Sequence, residues 1–360
     1  MAGRYIKQQQ LPGFGIKAQQ KLTEAKVLVT GAGGLGVPVL QYLCGMGIGT
    51  IGIIDGDVVD TTNLHRQVLY SEADIGKKKA SVAAQKLQQL NSDTIIHVYD
   101  EMLTAANAVD IIARYDLVID ATDNFTARYL VNDVCVLTGK PFVYAAIQGW
   151  EAQLSVFNYQ DGPTYRCLYP QQPSPREIPD CNTAGVLGVL PGIVGCRQAL
   201  EAIKIITGIG KPLSGYLKVF DFENDTEYKI KLAANAANKN IKALQEGINI
   251  RCSAAGVNEL SPFELYSWYK EGKEFLLIDV REVVEFNDSH LQHALNIPLA
   301  EITGQNFPGN TPVVLFCKTG NRSRRAANLV KEQNNVLEVY NVTGGLDNWA
   351  ATMNNQLIET

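Results

Sequence analysis

At 360 residues the chain has room for two domains of ordinary size. Apolar residues at 46% and charged residues at 19% exclude a disordered chain, and a net charge of -5 supplies no basic field for nucleic acid or an anionic membrane surface. The N-terminus, MAGRYIKQQQ, has no apolar h-region, and runs such as VLGVLPGIVG are too short and too broken to span a bilayer, so a cytoplasmic protein is expected.

Strand-like and helical patterns alternate from the first apolar run onward: KVLVT, VPVLQYLCGMG, TIGIID, KKKASVAAQKLQQLN, TIIHVY, AANAVDIIARY, DLVIDAT, YLVNDVCVLTG and PFVYAAI. Such alternation predicts an α/β fold, a parallel sheet covered by helices. Ala80, Ala83, Ala84, Leu87 and Leu90 follow a helical period and predict one buried stripe. YPQQPSPREIPD (169–180) is too rich in proline for helix or inner strand and reads as a surface loop. LAANAANKNIKALQEGINIRCSAAG reads as a linker, which divides the chain into 1–232, a linker over 233–256, and a smaller α/β domain over 257–360 built on FLLIDV, PVVLFC and EVYNV. The seven cysteines are scattered and never spaced C-x-x-C, so disulfides are not expected, and Cys44, Cys135 and Cys196 read as buried packing residues.

Between the first two apolar runs, Gly31, Gly33 and Gly36 form G-x-G-x-x-G, a turn that lets a phosphate approach backbone amides at a helix start. Asp55 ends the second run, where a carboxylate can accept from a ribose hydroxyl. This much fits NAD and ATP alike. The following DGDVVDTTNLHRQ places Asn63 and Arg66 one helical turn apart, and Arg66 with Lys79 gives a cation pair suited to a triphosphate. Asp123, after a further apolar run, stands where a carboxylate could hold Mg²⁺ against phosphates.

GAGGLG, IIDGDVVDTTNLHRQ, IGKKKA, DATDN and CNTAGVLGVLPGIVGCRQALEAIKIITG together resemble the MoeB/ThiF adenylyltransferases of sulfur-carrier proteins, relatives of ubiquitin-activating enzymes. The resemblance implies a Rossmann-like adenylation domain that uses ATP and Mg²⁺. In it the Gly-Gly carboxylate of a ubiquitin-like sulfur carrier attacks the α-phosphate. It also implies that Gly34 and its neighbours cradle phosphate, Asp55 binds ribose, Asn63, Arg66 and Lys79 neutralise phosphates, Asn124 joins the cofactor-binding residues, and Asp123 manages the metal. The family is typically a homodimer with an N-terminal arginine reaching into the partner's site; here Lys7 stands at that position, and Arg4 is the alternative donor. Many relatives carry two C-x-x-C pairs, whereas this chain has T-Y-R-C at 164–167 and no cysteine between 197 and 251, so no structural zinc is expected. Cys181, after the proline-rich loop, matches a position that some relatives use as a sulfur or acyl acceptor.

In the second domain LFCKTGNRSRRAA puts Cys317 at a strand end before a short turn and a helix, a setting that stabilises a thiolate or persulfide. With LIDVREVVEFNDSHLQHALNIPL and VYNVTGGLDNW, the segment resembles a single rhodanese domain, which implies Cys317 as persulfide carrier with Lys318 and Arg322 near the anion. His290 and His293 read as structural rather than as a metal pair. Together the halves imply carrier adenylation followed by sulfur transfer to a thiocarboxylate, in a molybdopterin, thiamine or related pathway, with a cysteine desulfurase or thiosulfate as donor. The rival readings are a carrier-binding scaffold with an active rhodanese tail, and a nicotinamide-dependent oxidoreductase.

Overall fold

The computed structural model describes residues 3–172, 185–241, 244, 257–308, 311–333, 337–353 and 356–359. The chain divides into two compact units, Met1–Ile250 and Arg251–Thr360.

In the first unit α1 (Ile6–Gln9) and α2 (Gly15–Glu24) lead into β1 (Lys26–Thr30), α3 (Gly36–Gly45), β2 (Thr50–Ile54), α4 (Lys79–Leu90), β3 (Ile95–Tyr99), α5 (Ala108–Ile112), β4 (Leu117–Asp120), α6 (Phe125–Thr138) and β5 (Phe142–Gln148). These five strands are parallel, in the order β3-β2-β1-β4-β5. The inner strands are apolar throughout because both faces are covered. Val27, Val29, Leu117 and Ile119 enter one core, while Leu28 and Val118 enter the other. Strands β6 (Glu151–Phe157), β7 (Tyr216–Asp221) and β8 (Thr226–Lys231) extend the sheet antiparallel, with α7 (Tyr165–Leu168) and α8 (Val189–Thr207) between β6 and β7. Gly195 lets α8 lie against α3, since a Cβ there would stand 2.5 Å from the Leu35 carbonyl oxygen.

Three expectations change in detail. The stripe on α4 buries Ala80, Ala83 and Leu87 and also Val82, but Ala84 is half-buried and Leu90, the last helical residue, is 45% exposed. Cys44 and Cys135 are buried, with their thiols pushed up by burial, whereas Cys196 is only partly covered, on the same side of α8 as the exposed Val189, Ile193 and Leu200. The run AANAVDIIARY yields only the short α5. Residues 173–180 of the proline-rich stretch, together with Cys181, lie outside the described residues.

In the second unit β9 (Val257–Leu260), α9 (Pro262–Glu271), β10 (Leu276–Asp279), α10 (Val283–Asp288), β11 (His290–Leu291), β12 (Leu295–Asn296), β13 (Val313–Phe316), α11 (Asn321–Gln333), β14 (Val339–Val342), α12 (Gly345–Met353) and β15 (Ile358–Glu359) follow in turn. Five strands form a parallel sheet in the order β12-β10-β13-β14-β9. Its central strand β13 is wholly buried, sending Val313 and Leu315 to one face and Val314 and Phe316 to the other. Cys317 is the next residue.

Candidate active sites

The sheet order of the first unit reverses between β1 and β4, and the loops after β1, β2 and β4 meet at the carboxyl edge there, where open α/β sheets place their ligands. The glycines of the first loop do different work. Gly31 turns the chain at φ +96, with its missing Cβ only 2.8 Å from the Ala121 carbonyl oxygen, and a Cβ on Gly36 would fall 1.9 Å from the Gly31 carbonyl oxygen. At Gly33 the nearest atom to a Cβ is Gln67 Nε2 at 3.7 Å, so this glycine leaves its amide approachable. Gly34 faces Pro191 of α8 at 3.1 Å and the Arg66 stem at 3.6 Å.

Asp55 holds this loop in shape: Ala32 N–H donates to its Oδ2 at 2.7 Å and Asp57 N–H to its Oδ1 at 2.8 Å. Burial pushes its carboxyl up, against the opposing pull of the Ala32 amide and the Lys79 charge. Arg66 donates to the Thr62 carbonyl (2.8 Å) and to Asn63 Oδ1 (3.3 Å), so the expected proximity of Asn63 and Arg66 is present. Lys79 is buried at the start of α4 and pairs with the half-exposed Asp57 at 3.0 Å. The Tyr70 hydroxyl lies 2.8 Å from the Ala32 carbonyl oxygen and 3.3 Å from that of Lys79, tying the glycine loop to α4.

The loop after β4 is clamped from beneath. Asp120 Oδ1 accepts from Thr122 N–H (3.1 Å) and its hydroxyl (2.6 Å), Arg128 donates to the Thr122 carbonyl (3.2 Å), and Gln198 of α8 donates to the Asp120 carbonyl (2.8 Å). Burial pushes the Asp120 carboxyl up, while the nearby Arg128 charge opposes this. Asn124 caps α6, its Oδ1 accepting from Ala127 N–H at 2.8 Å. Asp123 is left exposed, with Asn124 Nδ2 3.4 Å away. Sequence reasoning missed Asp57, Gln67, Arg128 and Gln198. Asp57 and Gln67 sit inside the motif DGDVVDTTNLHRQ, but only packing shows that Gln67 lies under Gly33 with a buried, unpartnered Oε1.

Of the N-terminal cations, Lys7 is exposed and Arg4 donates to the Leu90 carbonyl at 2.9 Å. Cys167 is the centre of a polar knot. Its sulfur takes hydrogen bonds from Thr164 N–H (3.4 Å), Asn235 N–H (3.3 Å) and Asn238 Nδ2 (3.5 Å), and the Thr164 hydroxyl lies 3.4 Å away. Burial works to raise this thiol, but the donors outweigh it and the net shift is downward. Among the described residues no three His, Cys, Asp or Glu side chains gather as a metal site.

In the second unit Cys317 is 1% exposed, and Gly320 N–H donates to its sulfur at 3.2 Å. The first amides of α12 hold the loop from outside, Leu346 N–H to the Cys317 carbonyl (2.8 Å) and Asp347 N–H to that of Lys318 (3.0 Å). Gly345 permits this approach, for a Cβ there would stand 2.2 Å from the Cys317 carbonyl oxygen. Buried Ser323 lies 3.5 Å from the sulfur and donates to Asn341 at 2.7 Å. Arg322 stands in the first turn of α11 rather than in a turn before the helix, and both its terminal nitrogens bind the Glu285 carboxylate, at 2.6 and 2.7 Å. Arg322 holds Glu285 far below the usual carboxylate range, at about 2. His290 stacks on Phe286 at 3.9 Å and lies 3.4 Å from Glu359; His293 is apart, in a left-handed turn at φ 65.

A family model described as ThiF family matches residues 5–245, and one described as rhodanese-like domain matches residues 261–352. The chain is 39% identical to a probable adenylyltransferase/sulfurtransferase MoeZ of Mycobacterium tuberculosis, over 99% of this chain and 94% of that protein. It is 38% identical to the adenylyltransferase and sulfurtransferase MOCS3 of Sus scrofa, over 97% of this chain and 85% of the relative. A crystal structure of E. coli MccB with AMPCPP and MccA superposes with a TM-score of 0.58 at 24% identity, over 65% of this chain and 73% of that one, a likeness of fold. Among the described residues no helix is long and apolar enough to cross a membrane.

Proposed function

Because the chain belongs to the ThiF family and carries a rhodanese-like domain behind it, we propose that it is an ATP-dependent adenylyltransferase and sulfurtransferase acting on a ubiquitin-like sulfur carrier that ends in Gly-Gly. The observation that carries the first half is the meeting, at one sheet edge, of the open Gly33 amide, Arg66, Lys79, Asp55 and Asp123. A carrier carboxylate oxygen attacks the α-phosphorus, the bond to the bridging oxygen breaks, and pyrophosphate leaves with the electron pair. Arg66 and Lys79 neutralise the triphosphate, and exchange of Asp57 for phosphate on Lys79 replaces one anion by another. Asp55 accepts from ribose with its remaining lone pairs. Asp123, exposed and in no ion pair among the described residues, suits Mg²⁺, a hard cation that takes oxygen ligands and would offset charge on the phosphates.

The second half rests on Cys317. The outer sulfur of a Cys317 persulfide displaces AMP from the carrier, and a second thiol then cleaves the sulfur–sulfur bond, leaving a thiocarboxylate on the carrier and a disulfide behind. Cys181 is the candidate that the sequence offers for this thiol. The product feeds a molybdopterin, thiamine or related sulfur pathway in the cytoplasm. We further assign a homodimer: Val189, Ile193 and Leu200 expose an apolar stripe on α8, and Ile16 on the neighbouring α2 is 74% exposed. Lys7 is the better candidate for a contribution across that dimer, since Arg4 is engaged within its own chain.

Pyrophosphate–ATP exchange tests the reading. Purified protein with Gly-Gly-ending carriers from the same genome is expected to exchange with one of them, and Lys79→Ala to slow that exchange by about a hundredfold or more. Tight ATP binding without exchange on any carrier would instead favour a carrier-binding scaffold with an active rhodanese tail.

A further inference from the structure

The helix that follows the Cys317 loop opens with a guanidinium, and the structure commits it elsewhere. Arg322 lies at the start of α11, close enough for the Cys317 sulfur to act on its charge, yet both of its terminal nitrogens are taken by Glu285 of α10 in a fork-to-fork pair of 2.6 and 2.7 Å. Such bidentate pairs are among the stronger and more directional contacts a guanidinium makes. The next arginine, Arg324, is paired with Glu259 at 3.0 Å. Lys318 is exposed, where water screens its charge. Two of the three arginines in KTGNRSRR are thus bound to carboxylates, and the third, Arg325, is exposed to water like Lys318. Immediately before Glu285 in α10, Val283 and Val284 are 52% and 81% exposed.

We propose that Glu285 is a positioning residue for donor choice, which by holding Arg322 selects persulfide donors of low charge, of the form R–S–SH, over small inorganic dianions such as thiosulfate. This rests on Cys317 being the persulfide carrier. In the favoured step the Cys317 thiolate attacks the outer sulfur of R–S–SH. The donor's S–S bond breaks with its electron pair going to R–S⁻, and the new S–S bond leaves Cys317–S–SH, so no net oxidation occurs. With thiosulfate the same attack would expel sulfite, and a dianion would have to approach the buried sulfur with Arg322 and Arg324 both already committed to carboxylates. Leaving such charge uncompensated on the way out of water is costly. The exposed Val283 and Val284 beside Glu285 in the chain suit the organic body of R–S–SH.

The test loads the full-length protein with thiosulfate or with glutathione persulfide and follows persulfidation of the peptide containing Cys317 by mass spectrometry. Glu285→Gln keeps the side-chain shape, removes the counter-charge and frees Arg322. Its second-order loading rate with thiosulfate is expected to rise about tenfold, with steeper salt dependence, while the rate with glutathione persulfide changes less than about twofold. The double variant Glu285→Gln with Arg322→Gln is expected to lose the gain, because the freed charge is gone. An unchanged or lower thiosulfate rate in Glu285→Gln overturns the inference, as does an equal rise with both donors or a gain that survives in the double variant. Failure of both donors to load wild-type Cys317 would instead overturn the persulfide reading on which the inference rests.

Discussion

The two candidate sites are built on one geometric plan and filled in opposite ways. Each is a loop that leaves the carboxyl end of an inner parallel strand and enters a helix, β1 into α3 in the first unit and β13 into α11 in the second. In the first, Gly33 leaves the loop open, and the cations Arg66 and Lys79 stand at its margin on local partners, ready for a ligand that brings its own negative charge. In the second, the loop closes on its own sulfur: Gly320 N–H points at Cys317, and Gly345 lets α12 press the loop shut from outside. Strand-end loops thus present amides in both units, and the residue at the centre decides whether the site waits for an anion or carries one. Each site also pairs its main cation with a carboxylate, Lys79 with Asp57 and Arg322 with Glu285.

If the two loops are independent machines, removing the sulfur must leave the other untouched. Cys317→Ala is expected to lower thiocarboxylate formation on the carrier by at least about a thousandfold while pyrophosphate exchange stays within about twofold. Loss of exchange in that variant would end the division of labour. A finer cut separates shape from access within the open loop. Gly36→Ala forces a Cβ to within 1.9 Å of the Gly31 carbonyl oxygen and is expected to destabilise the first unit by about 2 kcal/mol or more, read from its denaturant midpoint. Gly33→Ala meets nothing closer than 3.7 Å, so its stability should stay within about 0.5 kcal/mol while ATP affinity falls. Equal destabilisation by the two would mean that both glycines serve packing.

The smallest effect concerns the charge pair of the closed site. Glu285 has its folded pKa depressed to about 2, so its contribution is present above the ordinary glutamate range and is lost as pH falls toward that value. Both side chains are about one-third exposed, which limits the contribution to about 1 kcal/mol. The stability gap between wild type and Glu285→Gln is accordingly expected to be flat near neutrality and to narrow below about pH 4.5 in acid titrations followed by circular dichroism. A gap that widens on acidification contradicts the pairing.

The parallel sheet was legible in the sequence because covered strands must be apolar on both faces, and runs such as KVLVT and DLVIDAT have no other simple use. The glycine turn and Asp55 were legible for a similar reason: few residues other than glycine tolerate φ +96 at position 31, and the acid follows at a strand end. What stayed hidden are pairings between distant positions. Glu285 and Arg322 are 37 residues apart, and no local pattern marks either as the other's partner. The use of Asn124 as a helix cap, the clamp of Arg128 and Gln198 on the β4 loop, and the outward turn of Cys196 and Leu90 likewise depend on how helices settle on the sheet. Composition and periodicity leave that undetermined.

Cys167 and Asn235 are 68 positions apart, and the sulfur that joins them draws the span containing α8, β7 and β8 into a closed ring. Four protein ligands around a zinc ion would lock such a ring with about 10–16 kcal/mol. The hydrogen bonds at this sulfur contribute about 1 kcal/mol apiece, a latch beside such a weld. Every strand of the latch ends on one atom. Chemistry at that single sulfur therefore removes all of these bonds at once, while the Lys239–Asp161 pair at 3.6 Å, the packing of Leu232 and the sheet beneath keep their own hold.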